Sequence, residues 1–222
     1  MSRTRQLAAG GRAVEVEPER LAGFLDRFAA GHGGARHTTV TVQRVDVLAG
    51  DGWVASIAVP FSPLVASPGQ RDGLAVDELL DHLMVPRTIG LLLVRLGGYS
   101  VGVARAGQVL VASTGNRPVH GRTAAGGQSQ QRFARRRDNQ ARVTLQAAAD
   151  SAARVLLSRA AELDAVVLGG DLTALRRLAA DPRLTALLQR AEPRILDVPE
   201  PRRAVLDEAA RRARCVEAQL HP

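Results

Sequence analysis

Between Gly90 and Leu163 the sequence reads as three short strands followed by one long amphipathic helix, and this run restricts the possible folds more than any other. Leu91 to Leu96, Tyr99 to Ala104 and Gln108 to Ser113 are apolar segments joined by Gly97-Gly98 and by Arg105-Ala106-Gly107. Connections this short predict an antiparallel meander. From Ser129 to Leu163 the period changes to that of a helix, with Phe133, Ala141, Leu145, Ala148, Ala152, Val155, Leu156 and Ala160 on one stripe. Ala165 to Leu168 then fits a buried strand, and Asp171 stands where it can cap a helix running through Ala179. A second helix-strand step ends at Ile195 to Val198, an expected edge strand, and Pro201 opens a final helix where proline is tolerated.

Three antiparallel strands, helix, strand, helix, strand, helix is the order of a ribonuclease-H-like mixed sheet with helices on both faces, within the α/β (α+β) class. Ahead of it, Leu21, Phe24, Leu25 and Phe28 form one face of a helix over Pro18 to Ala30, which ends at Gly31. Thr38 to Val47 and Trp53 to Val59 read as strands paired around the Asp51-Gly52 turn. Residues 1–60 are therefore expected to form a small N-terminal α+β unit. Residues 61–86, proline-rich and without a clear period up to Gly73, are expected to be a linker or mobile loop with a short helix over Asp77 to Leu83. Residues 87–222 are left as the domain that carries the chemistry.

All 30 basic residues are arginines, set against 22 acidic ones, for a net charge of +8 on 222 residues. The absence of lysine by itself follows from a GC-rich coding bias. The net charge still calls for a polyanionic partner, and the planar guanidinium suits phosphates and base edges, so RNA leads and DNA is not expected. Cys215 is the single cysteine, which excludes an intramolecular disulfide and a cysteine-based zinc site. It reads as a packed thiol among helix-period residues, and cytoplasmic residence follows as the simple expectation. Met1 to Arg12 has no hydrophobic signal core and no apolar run is long enough to span a bilayer, so no membrane partner is expected.

The loop ahead of the long helix runs Gly121-Arg122-Thr123-Ala124-Ala125-Gly126-Gly127-Gln128-Ser129. Two adjacent glycines let backbone adopt positive φ and approach another chain closely, as a loop entering a narrow crevice must. A glutamine beside them does not titrate and so is no general base. It offers an acceptor and two donors, enough to position a water and stabilise developing charge. Behind it stand Arg132, Arg135, Arg136 and Arg137, with Arg122 before it and no acidic residue between Gly121 and Arg137. Cations in a first helical turn oppose the helix dipole by about 0.3–1 kcal/mol each. An external phosphate would offset that cost. Ser129 is placed to serve as the helix N-cap.

These residues carry a resemblance. Gly126-Gly127-Gln128-Ser129, then Arg132-Phe133-Ala134-Arg135 and Arg137, resembles the peptide-release (GGQ) motif of the eukaryotic and archaeal class I peptide-chain release factor, whose middle domain is ribonuclease-H-like. Val166-Val167-Leu168-Gly169-Gly170 and Asp181-Pro182-Arg183-Leu184 resemble the second half of that domain, so the likeness covers roughly Leu91 to Ala218. Gly126 to Asn139 is similar still more closely to the release-factor-like peptidyl-tRNA hydrolases that rescue stalled ribosomes in quality control. The resemblance implies that Gly126, Gly127 and Gln128 enter the peptidyl transferase centre and help water attack the ester joining nascent chain to tRNA. It implies that Arg122, Arg132, Arg135, Arg136 and Arg137 hold ribosomal RNA or the tRNA acceptor end, with the large ribosomal subunit and peptidyl-tRNA as partners and no cofactor. A chain of 222 residues leaves no room for the codon-reading and GTPase-docking domains of the termination factor, so action independent of stop codons is expected.

Two other readings compete: a non-catalytic ribosome- or tRNA-binding factor, and a nuclease that cleaves the tRNA. A ribonuclease-H-like nuclease needs carboxylates converging on a divalent metal, one of them on the first strand of the sheet, and Leu91 to Leu96 has none. Asp138, Asp164 and Asp171 are explained by capping or surface pairing. His32, His37, His82, His120 and His221 lack metal-ligand spacing, so no metal is assigned.

Overall fold

The computed structural model describes residues 3–7, 10–95, 97–116 and 128–222, with backbone alone for 116 and 128–138. The chain divides into two compact units, residues 1–86 with 214–222, and residues 87–213.

The first unit contains β1 (Thr4–Gln6), β2 (Arg12–Val16), α1 (Pro18–Gly31), β3 (Ala35–Val40), β4 (Arg44–Ala49), β5 (Val54–Ala58), β6 (Gly69–Asp72) and α2 (Asp77–Met84), and the end of the chain as β12 (Val216–His221). Its seven strands pair antiparallel in the order β1-β2-β12-β5-β4-β3-β6. Leu21, Leu25 and Phe28 of α1 and Leu79 and Leu83 of α2 share one core with Val45, Val47, Ile57, Val216 and Leu220. The expected hairpin partners are present, but Thr38 to Val47 is not one strand. At Thr41 the hydroxyl accepts from the Arg44 amide (2.9 Å) and donates to its carbonyl (3.0 Å), closing a turn between β3 and β4.

The segment 61–86, expected to be a linker, is built into this unit. It carries β6 against β3, and Leu64, Val76, Leu79 and Leu83 are buried in the shared core. The final helix also stops short. Helix α6 (Arg203–Arg212) ends before Cys215, which is buried ahead of β12 rather than packed on a helix. Val216, Ala218 and Leu220 face the core while Glu217, Gln219 and His221 alternate away, the period of a strand buried on one face.

The second unit contains β7 (Thr88–Arg95), β8 (Gly98–Arg105), β9 (Gln108–Asn116), α3 (Gln128–Val155), β10 (Ala165–Gly170), α4 (Leu172–Leu178), α5 (Thr185–Leu188), β11 (Ala191–Leu196) and α6. The sheet order is β11-β10-β7-β8-β9, antiparallel through the meander and parallel from β7 to β10 to β11. This is the ribonuclease-H-like arrangement expected from the element order, with β11 at one edge. Strand β7 is apolar on both faces because both are covered. Leu92 and Val94 join the core under α3 and α4. On the other side α6 lies so close that a Cβ on Gly102 would sit 2.9 Å from Leu206 Cδ2 and 2.7 Å from the Val111 carbonyl oxygen. Asp171 caps α4 as anticipated, accepting from the Thr173 amide at 2.8 Å. Helix α3 ends at Val155, with a 3-10 turn over Leu157–Arg159, earlier than the apolar stripe predicts.

Candidate functional site

Strand β9 is an edge strand, last paired at Asn116 opposite Gly98, and α3 opens at Gln128. In sequence, the anticipated glycine loop therefore stands between this edge strand and the long helix. Arg122, Gly126 and Gly127 lie outside the described residues. Gln128 is the first residue of α3, so Ser129 belongs to its first turn rather than preceding it as a cap. Positions 132, 135, 136 and 137 follow on the same helix, and its first turn has no acidic residue.

Helical geometry sorts these positions. Positions 128, 132 and 135, and further on 139, 142 and 146, recur at steps of four and three and form one row along the helix. Position 137 instead leads the row of Ala141, Ala148 and Ala152, which are buried at 6% exposure or less, the last two in the core against the sheet. Arg132 and Arg135 therefore share a row with Gln128, whereas Arg137 stands one turn ahead of the packed row.

What fixes the helix was not legible in the sequence. Ala148, Ala149 and Ala152 are small enough for α3 to press on β8 and β9. Beside them lies a polar cluster: Ser151 Oγ donates to Tyr99 Oη (3.1 Å) and pairs with Ser113 Oγ (3.2 Å). Arg154 donates to both Ser113 Oγ (3.1 Å) and Ser151 Oγ (3.3 Å). The Tyr99 ring also covers Gly115, where a Cβ would lie 2.5 Å from it, and this contact sets the backbone immediately before the loop. The available signal was a serine inside an alanine stripe, which by sequence alone reads as a neutral helix residue.

Further along α3 a cleft of about 830 Å³ opens between the helix, the end of α4 and the 3-10 turn Pro182–Leu184. Leu145, Ala149, Leu178 and Pro182 form its apolar lining, and Arg142, Gln146, Arg177 and Arg183 its polar one, with Asp181. Arg183 is held by two carboxylates, Asp181 at 2.7 Å and Asp150 at 2.9 Å. The hydrogen bond from Arg183 holds the Asp181 carboxyl below the ordinary aspartate range and pushes the guanidinium of Arg183 up. Arg142 donates to the neutral Asn139 amide oxygen at 3.0 Å.

Of the carboxylates weighed for a nuclease, the Asp138 side chain lies outside the described residues and the other two have partners. Asp164 accepts from the Thr88 amide at 2.7 Å and Asp171 is the cap already described. Among the described residues no three histidine, cysteine or acidic side chains converge as a metal site. No described helix is long and apolar enough to cross a membrane.

Residues 87–219 match the model of a protein family described as the Actinobacteria/chloroflexi VLRF1 release factor, over more than half of the chain. The chain belongs to this family. The release-factor match begins where the second unit begins, runs through the glycine loop and α3, and extends into β12. Among solved structures the chain is similar to the archaeal translation termination factor aRF1, at 14% identity and a TM-score of 0.43 over 89% of this chain and 70% of that one. It is similar also to a structure described as an archaeal protein (16% identity, TM-score 0.39, 73% of this chain and 48% of that one). A third likeness is to Pelota of Archaeoglobus fulgidus (12% identity, TM-score 0.30, 95% of this chain and 64% of that one). No curated protein matches the sequence.

Proposed function

We propose that this release-factor family member acts on the ribosome as a peptidyl-tRNA hydrolase, cleaving the ester between nascent chain and tRNA in stalled large-subunit complexes without reading a stop codon. The observation that carries this reading is the family match across Gly126, Gly127 and Gln128, with Gln128 at the first position of a helix built firmly onto the sheet. In the proposed reaction the glycines let the backbone into a crevice too narrow for side chains. Gln128 orients water toward the ester carbonyl, and amide donors near it stabilise the charge that develops on the carbonyl oxygen. Arg122, Arg132, Arg135 and Arg136 hold ribosomal RNA or the acceptor end of the tRNA by phosphate contacts. Arg137, whose position leads the packed row of α3, is assigned the same role from a neighbouring face of the helix.

The test is release of a labelled peptide from purified ribosome-nascent-chain complexes and from free large subunits carrying peptidyl-tRNA. The parent protein should liberate peptide and leave full-length deacylated tRNA. Gln128→Ala should slow release by about 100-fold or more, as loss of one group stabilising an oxyanion does elsewhere, while binding to the complex survives. Equal release by parent and variant would refute the assignment of Gln128. A shortened tRNA would point to nuclease action instead.

A further inference from the structure

We propose that the cleft between α3 and α4 binds a single unpaired RNA nucleotide, extending toward the sheet the RNA track that begins at the glycine loop. The proposal rests on the RNA setting argued above, and names a site on residues outside the loop and its adjoining arginines. Three observations support it. The cleft, at about 830 Å³, lies in the size range of a small-ligand site and so admits one nucleotide rather than a duplex. Its lining combines apolar surface from Leu145, Ala149, Leu178 and Pro182 with guanidinium groups of Arg142, Arg177 and Arg183, which matches a flat base or ribose flanked by phosphates. Finally, Arg142 and Gln146 continue the row of positions 128, 132 and 135.

The charges within the cleft are unequal in availability. Arg183 is occupied by Asp150 and Asp181, and its fork serves to shape the wall. Arg142 is bonded to a neutral amide, and Arg177 is exposed in the last turn of α4. Among the described side chains no carboxylate pairs with either. These two guanidinium groups are therefore the ones a phosphate would engage. Arg142 lies about 21 Å along the helix from Gln128 at about 1.5 Å per residue, so one extended strand can touch both ends of the row. An acidic protein segment would satisfy the arginines but leave the apolar lining without a partner, which is why RNA is preferred.

The experiment measures binding of the full chain to a fluorescein-labelled single-stranded RNA of ten mixed nucleotides as salt is raised. Arg142→Ala/Arg177→Ala should weaken binding roughly tenfold at low salt and reduce the slope of log K against log salt by about 1.4, two contacts at about 0.7 each. Arg105→Ala, at the exposed last residue of β8, should leave both nearly unchanged, and thermal unfolding of each variant confirms its fold. Unaltered affinity and slope in the double variant would overturn the proposal. So would a parent that does not bind the RNA, or displacement of the RNA by polyglutamate as readily as by unlabelled single strand. Displacement by a matched duplex with equal efficiency would also overturn it. Peptide release is scored separately: a parent that binds RNA through the cleft yet releases no peptide sinks the hydrolase proposal and leaves the cleft standing. Release without cleft-dependent binding does the reverse.

Discussion

From Ala141 to Val155, helix α3 places Ala148, Ala149, Ala152 and Val155 against the sheet and ties Ser151 and Arg154 into a hydrogen-bonded cluster with Ser113, while Ser151 reaches Tyr99. From Gln128 to Arg137 the same helix carries four arginines, no acidic residue and a glutamine at its first position. The packed half gains free energy by burying apolar surface. In the leading half the like charges repel one another and arginines in the first turns oppose the helix dipole. A helix of 28 residues, about 42 Å long, lets its packed C-terminal half carry the leading half without sharing its chemistry. Stability and proposed function can therefore be perturbed separately on one element.

The largest expected effect comes from the leading half. Gln128→Ala should lower peptide release by about 100-fold to 1000-fold with the melting temperature unchanged. A parallel loss of stability would show that the two halves are not independent. Next, Ala152→Leu forces extra methylenes under the packed half, at a cost of about 1–3 kcal/mol. It should lower the denaturant midpoint, and the release rate per folded molecule should stay within a few-fold of the parent. Gly115→Ala should have a smaller effect, since its Cβ must displace the Tyr99 ring. Weakened Ser151 amide protection in hydrogen exchange, together with a lower melting temperature, would register it.

The smallest effect should come from Arg183. Because Arg183 holds the Asp181 carboxyl below its ordinary range, that pairing stabilises the fold fully above the unfolded value of about 3.9 and is lost as pH falls below it. Arg183→Ala should therefore show a slightly lower melting temperature than the parent at neutral pH, and the difference should begin to shrink near pH 4 and go on shrinking as pH falls through the lowered Asp181 value. A difference that does not shrink at all on acidification would assign the role of Arg183 to packing.

Local signals in the sequence carried much of the second unit. The tight turns between Leu96 and Tyr99 and between Ala104 and Gln108 leave little choice but an antiparallel meander, and Asp171 caps the helix after β10 through a bond two residues away. The candidate loop stands out in the sequence because the Gly-Gly-Gln tripeptide and its arginines are nearly contiguous, and its glycines lie outside the described residues. Elsewhere the same local rules misled. The stretch 61–86 looked like a linker because its prolines and glycines break every period, yet Leu64, Leu79 and Leu83 reach a core formed mostly by distant strands. The polar cluster of Tyr99, Ser113, Ser151 and Arg154 draws on residues up to 55 positions apart, and serine in an alanine stripe gives no sign of it.

By itself the sequence determined the order of elements in the second unit and the position of the glycine loop ahead of a cationic helix, since turns, caps and helical period depend on neighbours within a few residues. Only the tertiary structure decided that Val216 to His221 is a strand between β2 and β5, and that Arg142, Arg177 and Arg183 share one cleft. Six residues of alternating polarity become a strand when two open edges supply their hydrogen bonds. Side chains 35 and 41 positions apart meet only after the sheet has set where α3 and α4 lie.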